Sequence, residues 1–137
     1  MRPDVSDGPL NLAKTALAEG NLTAAYDGLA RAEEVATGDA RAAWVWGRVL
    51  QEDGRYSEAV LAYERVLEVF PEDRATWRAM GRTLFLDQQF ERALEALEEV
   101  LEIDPGGRVA HYNRVLALGA LGREAEADRA EAAYLYY

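Results

Sequence analysis

One histidine, His111, is the only imidazole available for proton transfer or metal ligation, and no cysteine accompanies it. A transition-metal site needs several His and Cys side chains at fixed spacing, so the expected role of His111 is packing in the core or at its rim. The lack of cysteine also removes disulfides, thiolate metal centres, haem attachment and cysteine nucleophiles. Ser6 and Ser57 sit in no nucleophile motif, which leaves acyl transfer without machinery. The pair Gly106-Gly107 follows a helical stretch rather than a strand, and it lacks the lysine of a phosphate loop; it reads as a turn. Glu95, Glu98, Glu99 and Glu102 recur at i, i+3 and i+4, the mark of a solvated helix face rather than a calcium loop. The expectation is a protein that is not an enzyme and that holds no metal or cofactor.

Net charge narrows the partners. At -10 overall, with a pI near 4.6, the chain is a poor general ligand for nucleic acid or for acidic lipid, both of which demand Lys and Arg in excess. The start, Met1-Arg2-Pro3-Asp4-Val5, has no apolar targeting stretch, and no segment approaches the roughly 20 apolar residues of a membrane span. As given, the chain is expected in the cytoplasm without membrane insertion. Excised from a longer precursor, it would fit the periplasm or the cell envelope instead.

The elements that position these residues are helical. Of the 137 residues, 50% are hydrophobic and 29% charged, with four prolines, a composition that folds, and the length suits one domain with a sizeable core. A 34-residue period runs through it: Gly20, Gly54 and Gly122 fall on one lattice with Gln88 at the remaining point, and Ala25, Ala59, Ala93 and Ala127 fall on another. The registers are 6–39, 40–73, 74–107 and 108–137, after a short tail at 1–5. Within the second, Trp44 to Leu50 and Tyr56 to Val69 carry apolar residues at helical spacing around the turn Asp53-Gly54-Arg55, so each register predicts a helical hairpin. The glycine supplies the positive φ that ends the first helix, and Pro71 and Pro105 stop the second. Close helix approach needs small residues, which Gly47, Gly81, Ala59 and Ala93 provide.

This pattern resembles the tetratricopeptide repeats over nearly the whole chain. The second register supplies Gly47, Leu50, Gly54, Tyr56, Ala59, Tyr63, Val66 and Pro71 in the family order, and the third supplies Trp77, Gly81, Leu84, Phe90, Ala93, Leu97, Val100 and Pro105, departing at Gln88. The first register is degenerate: it keeps Ala13, Gly20, Leu22, Ala25, Leu29 and Ala32, but Thr37 replaces the proline and Pro9 is expected to interrupt the start. The fourth keeps Leu118, Gly122 and Ala127, with Val115, Glu124 and Glu131 at unusual places. Atypical terminal repeats are normal in such arrays. The resemblance implies an all-α, right-handed α-solenoid of about four hairpins, whose first helices line a concave face.

On those first helices basic residues (Lys14, Arg41, Arg48, Arg74, Arg78, Arg82, Arg108, Arg114) outnumber acidic ones (Asp7, Glu19, Glu52, Asp53, Asp87), whereas the second helices are strongly acidic. Lys14, Arg48 and Arg82 occupy equivalent places in three successive registers, and Leu10, Trp44, Arg78 and Tyr112 occupy another set of four. In the family both sets face the groove, and Trp and Arg are common interface anchors. The groove residues are therefore expected to be Lys14, Arg41, Trp44, Arg48, Arg78, Arg82 and Tyr112, gripping an acidic peptide or protein segment. The competing expectation has the arginines paired with Glu52, Asp53 and Asp87. The family's clamp for a terminal carboxylate, with lysine and asparagine on the first helix of its first repeat and asparagine on that of its second, is absent: this chain has Leu10 with Lys14, then Val45.

An alternative function is structural, with head-to-tail oligomers or filaments formed through the repeat ends. Leu10 and Leu12, with Ala13 and Ala16, stand on the opening helix, and Tyr134, Leu135 and Tyr137 close the chain with no polar capping helix after them. A third reading is an adaptor region of a larger envelope-associated or cytochrome-like protein.

Overall fold

The computed structural model describes residues 7–35 and 37–135, in which every regular element is a helix. They run α1 (Asp7–Ala18), α2 (Leu22–Val35), α3 (Ala40–Glu52), α4 (Tyr56–Val69), α5 (Arg74–Leu86), α6 (Phe90–Ile103), α7 (Arg108–Ala120) and α8 (Glu124–Leu135). Consecutive pairs form the hairpins that the 34-residue period predicts. The chain divides into two compact units, Met1–Val69 with α1 to α4 and Phe70–Tyr137 with α5 to α8.

All four hairpin turns close the same way. In the first unit Gly20 N–H donates to Leu17 O and Asn21 N–H to Ala16 O, while Gly54 N–H donates to Gln51 O and Arg55 N–H to Leu50 O. This double bond satisfies carbonyls left over at the helix end, and it requires a left-handed residue, supplied by Gly20 at φ 75° and Gly54 at φ 75°. The second unit repeats the motif at Gly122 (φ 73°) and at Gln88, which adopts φ 61° although it bears a side chain. The bonds Gln88 N–H to Phe85 O (3.0 Å) and Gln89 N–H to Leu84 O (2.9 Å) hold it there. A left-handed L-residue costs roughly 1–2 kcal/mol, only partly offset by the lower backbone entropy cost of ordering a non-glycine. Gln88→Gly is therefore expected to stabilise the protein by about 1 kcal/mol. Thermal unfolding beside wild type checks this, and a lower melting temperature would refute it.

In the first unit Leu10, Ala13 and Ala16 of α1 pack with Ala25, Leu29 and Ala32 of α2 and with Ala42, Val45 and Val49 of α3. This corrects two expectations. Leu10 is 2% exposed, so it belongs neither to a groove nor to an open end; an aliphatic side chain where the other repeats carry Trp, Arg or Tyr gains by turning inward. Pro9 does not interrupt the helix, because α1 begins at Asp7 and places Pro9 in the first turn, where no backbone donor is needed. A Cβ on Gly28 would meet Pro9 O at 2.9 Å and Ala13 N at 3.0 Å, so α1 and α2 touch backbone to side there. On α3, a Cβ on Gly47 would stand 2.4 Å from the ring of Tyr63, which is fully buried and donates its hydroxyl to Gln51 at 2.9 Å.

In the second unit Leu97, Val100 and Ala110 form one cluster with Trp77 and Leu101 against it, and Leu94, Leu118 and Ala130 form another. The Trp77 indole N–H donates to Pro71 O at 2.7 Å, and one period later His111 Nε2 stands 2.6 Å from Pro105 O. A carbonyl only accepts, so Nε2 carries the proton. His111 is thus buried at the start of α7 against the preceding turn, in the place Trp77 holds at the start of α5.

Candidate functional site

The third register puts Arg78 and Arg82 one turn apart on α5, both exposed and neither in an ion pair among the described residues. The acidic side chains nearest in sequence are engaged elsewhere: Asp73 accepts from the Thr76 hydroxyl and Asp87 from the Gln89 amide, and Arg74 pairs with Asp104 at 2.6 Å. Arg82 lines a cavity of about 340 Å³ together with Phe85 and Leu86 of α5 and Val109 and Asn113 of α7, above Gly81 and Leu97. A guanidinium and a carboxamide thus face a space whose other walls are apolar. Apolar neighbours strengthen a charge-assisted hydrogen bond once a ligand covers them, and the planar guanidinium fork fits a carboxylate.

Asn113 is the residue that the sequence reading missed. It holds in the fourth register the place that Val45 holds in the second, but Arg78 and Arg82 stand where the clamp has lysine and asparagine, so only its last asparagine is matched. Tyr112 turns elsewhere: its ring lies 6.1 Å from that of Tyr134, over which Arg108 sits at 5.1 Å.

In the first unit Lys14 and Arg48 are exposed and take no ion pair among the described residues. Arg48 lies 5.9 Å from the Trp44 ring centre, and Trp44 in turn tilts against Tyr63 at 5.5 Å, so the arginine rests on an aromatic base that is itself fixed in the core. Arg41 is different. Its guanidinium reaches Asp39 at 2.9 Å, and the same carboxylate caps α3 by accepting from the Arg41 backbone N–H, which ties Arg41 to its own helix start. Asp53 accepts the Tyr26 hydroxyl at 2.8 Å. The expected pairing of the ladder with Asp53 and Asp87 is not formed by Arg48, Arg78 or Arg82.

At the chain end Tyr134 is half-buried and Leu135 is 73% exposed, while Tyr137 lies outside the described residues. On α1 only Leu12, 60% exposed, remains of the opening-helix patch. Among the described residues no group of three or more His, Asp or Glu converges to hold a metal ion, and no helix is long and apolar enough to cross a membrane.

The family model of the tetratricopeptide repeat matches residues 45–108. A crystal structure of MamA superposes with a TM-score of 0.89 at 22% identity, covering 98% of this chain and 78% of that one. MamA from Desulfovibrio magneticus RS-1, residues 41 to the end, gives 0.89 at 16% identity over 97% of this chain and 75% of that one. An O-GlcNAc transferase of Thermobaculum terrenum gives 0.73 at 24% identity over 86% of this chain but 23% of its own. At these identities the likeness shows the fold, a helical-repeat solenoid class. No curated protein is significantly similar in sequence.

Proposed function

This chain is a tetratricopeptide repeat protein, and from that premise we propose that it is a protein-interaction scaffold that binds an acidic peptide or protein segment on its first helices. The observation that carries the reading is the cavity on α5 and α7, where Arg82 has no counter-ion among the described residues and shares a partly apolar space with Asn113. Arg82 and Asn113 hold the carboxylate, Phe85, Leu86 and Val109 take an adjoining apolar side chain, and Arg78 adds charge one turn away. Lys14, Trp44 and Arg48 form a basic surface of their own in the first unit.

Titration with a synthetic segment containing several Glu residues and one Leu tests this. Binding is expected to weaken as salt rises from low to physiological, because the arginines are solvent-facing, and to vanish when Glu is replaced by Gln. Equal affinity for the Glu and Gln segments would sink the proposal.

A second reading, end-to-end self-association, draws on Leu135 and Leu12, large apolar side chains left in water at the last and first helices. Here the mass measured by light scattering rises with concentration and returns to monomer on Leu135→Glu. A constant monomer up to millimolar concentration excludes it.

A further inference from the structure

Every regular element among the described residues is a helix, so they offer no sheet edge to which an extended segment could add a strand. What borders the Arg82 cavity is two rows of side chains. Arg78, Arg82 and Leu86 on α5, and Val109, Asn113 and Leu116 on α7, follow one another at steps of three or four residues, about 5–6 Å along each helix. The aliphatic members stand in water: Leu86 is 45%, Val109 59% and Leu116 40% exposed. Both helices line the one cavity, and rows spaced in this way are the ridges between which a third helix seats a ridge of its own.

The charge here has one sign. Arg82 is the single charged residue lining the cavity, Arg78 stands one turn away, and neither takes an ion pair among the described residues. The carboxylates at the ends of α5 and α6 are engaged: Asp73 by Thr76, Asp87 by Gln89 and Asp104 by Arg74. Polar partners for a backbone are equally few. Of the seven residues lining the cavity only Arg82 and Asn113 have polar side chains, and the carbonyls of Thr83, Leu84 and Phe85 are taken by the turn that ends α5. An extended segment brings a donor and an acceptor at every residue, and those facing such walls lose water with nothing in return. A helix bonds its own backbone and presents only side chains.

We propose that the segment gripped at Arg82 is an amphipathic α-helix laid in the groove between α5 and α7. The proposal rests on the acidic-segment reading and adds to it the conformation and spacing of the partner. Two carboxylates one turn apart meet Arg78 and Arg82, and aliphatic side chains on the following turns cover Leu86, Val109 and Leu116, a pattern of the form Glu-x-x-x-Glu-x-x-Leu repeated over two to three turns. Leu116, outside the cavity itself, becomes a residue that selects for such a partner.

The test uses the full chain and three synthetic peptides: one with this pattern, the same peptide with proline in its central turn, and the same peptide with Gln for Glu. On binding the first, the far-ultraviolet circular dichroism of the mixture is expected to show more helix than the two spectra summed. Proline breaks a helix but is tolerated in an extended chain, so calorimetric titration is expected to show at least tenfold weaker binding of the second peptide. Leu116→Asp, which removes an aliphatic contact and sets a like charge on the apolar row, is expected to weaken the first peptide by about tenfold. Equal affinity for the proline peptide, no gain of helix, or an unchanged affinity in Leu116→Asp overturns the proposal, and if binding still depends on Glu over Gln the acidic-segment reading survives it. Equal affinity for the Gln peptide takes down both.

Discussion

Gly47→Ala is expected to destabilise the protein by about 2 kcal/mol, while Gly119→Ala, the same change on another first helix, is expected to stabilise it slightly. The added methyl at Gly47 would meet three ring atoms of Tyr63 between 2.4 and 2.8 Å, and that ring is fully buried with its hydroxyl bonded to Gln51. Overpacking of this kind costs about 1–3 kcal/mol, and loss of the buried hydrogen bond adds about 1 kcal/mol. The better helix propensity of alanine returns nearly 1 kcal/mol. At Gly119 nothing lies within 4 Å of the new methyl, so only the propensity gain remains. For a chain of this size about 4 °C of melting temperature accompanies each kcal/mol, which predicts a fall of roughly 8 °C against a rise of a few degrees. Thermal unfolding of the pair decides it. Changes of the same sign would mean that Gly47 is not a close-contact position. Gly81 lies between the two, because its methyl would meet the flexible end of Leu97 at 3.3 Å.

These glycines illustrate what is legible in a repeat sequence. A turn that needs a left-handed residue, or a crossing that admits no side chain, leaves its mark at a fixed interval, and Gly20, Gly54, Gly122, Gly47 and Gly81 are readable for that reason. Gln88 breaks the spelling without breaking the turn, because the two backbone bonds that close it are indifferent to the side chain. Gly28 escaped notice since its repeat equivalents, Ala62 and Ala96, belong to no signature, although a Cβ there would meet Pro9 O at 2.9 Å and Ala13 N at 3.0 Å. Leu10 was misplaced by the same equivalence that served elsewhere: a lattice assigns position, and the chemistry of the individual side chain decides whether the position faces water. Charge neutralisation was least legible. Lys14, Arg41, Arg48, Arg78 and Arg82 look alike in sequence, yet Arg41 is tied to Asp39 through a helix cap, and Arg48 rests on an aromatic ring. Arg55, which the sequence shows only as the last residue of the turn Asp53-Gly54-Arg55, is locked between Tyr26 and Glu58.

That last point shapes the binding prediction with the largest effect, Arg82→Glu. Reversing Arg55 as a control would disturb a network as well as a charge, whereas Arg129 on α8 is exposed and enters no ion pair among the described residues, so Arg129→Glu changes the net charge without breaking an ion pair. Hydrogen bonds to charged groups contribute about 1.5–3 kcal/mol, and a like charge placed in the cavity adds repulsion. Arg82→Glu is thus expected to weaken an acidic segment by roughly 100-fold, and Arg129→Glu by no more than about twofold at physiological salt. Asn113→Ala removes a neutral donor and is expected to cost about fivefold. If both side chains hold one carboxylate, the losses are not independent: Arg82→Ala with Asn113→Ala together should cost less than the sum of the two single changes, because the ligand group is already released by the first. Calorimetric titration of wild type, the single variants and the double variant measures that coupling. Strict additivity would place Asn113 outside the contact, and an Arg129→Glu loss as large as that of Arg82→Glu would reduce the site to the overall charge of the protein.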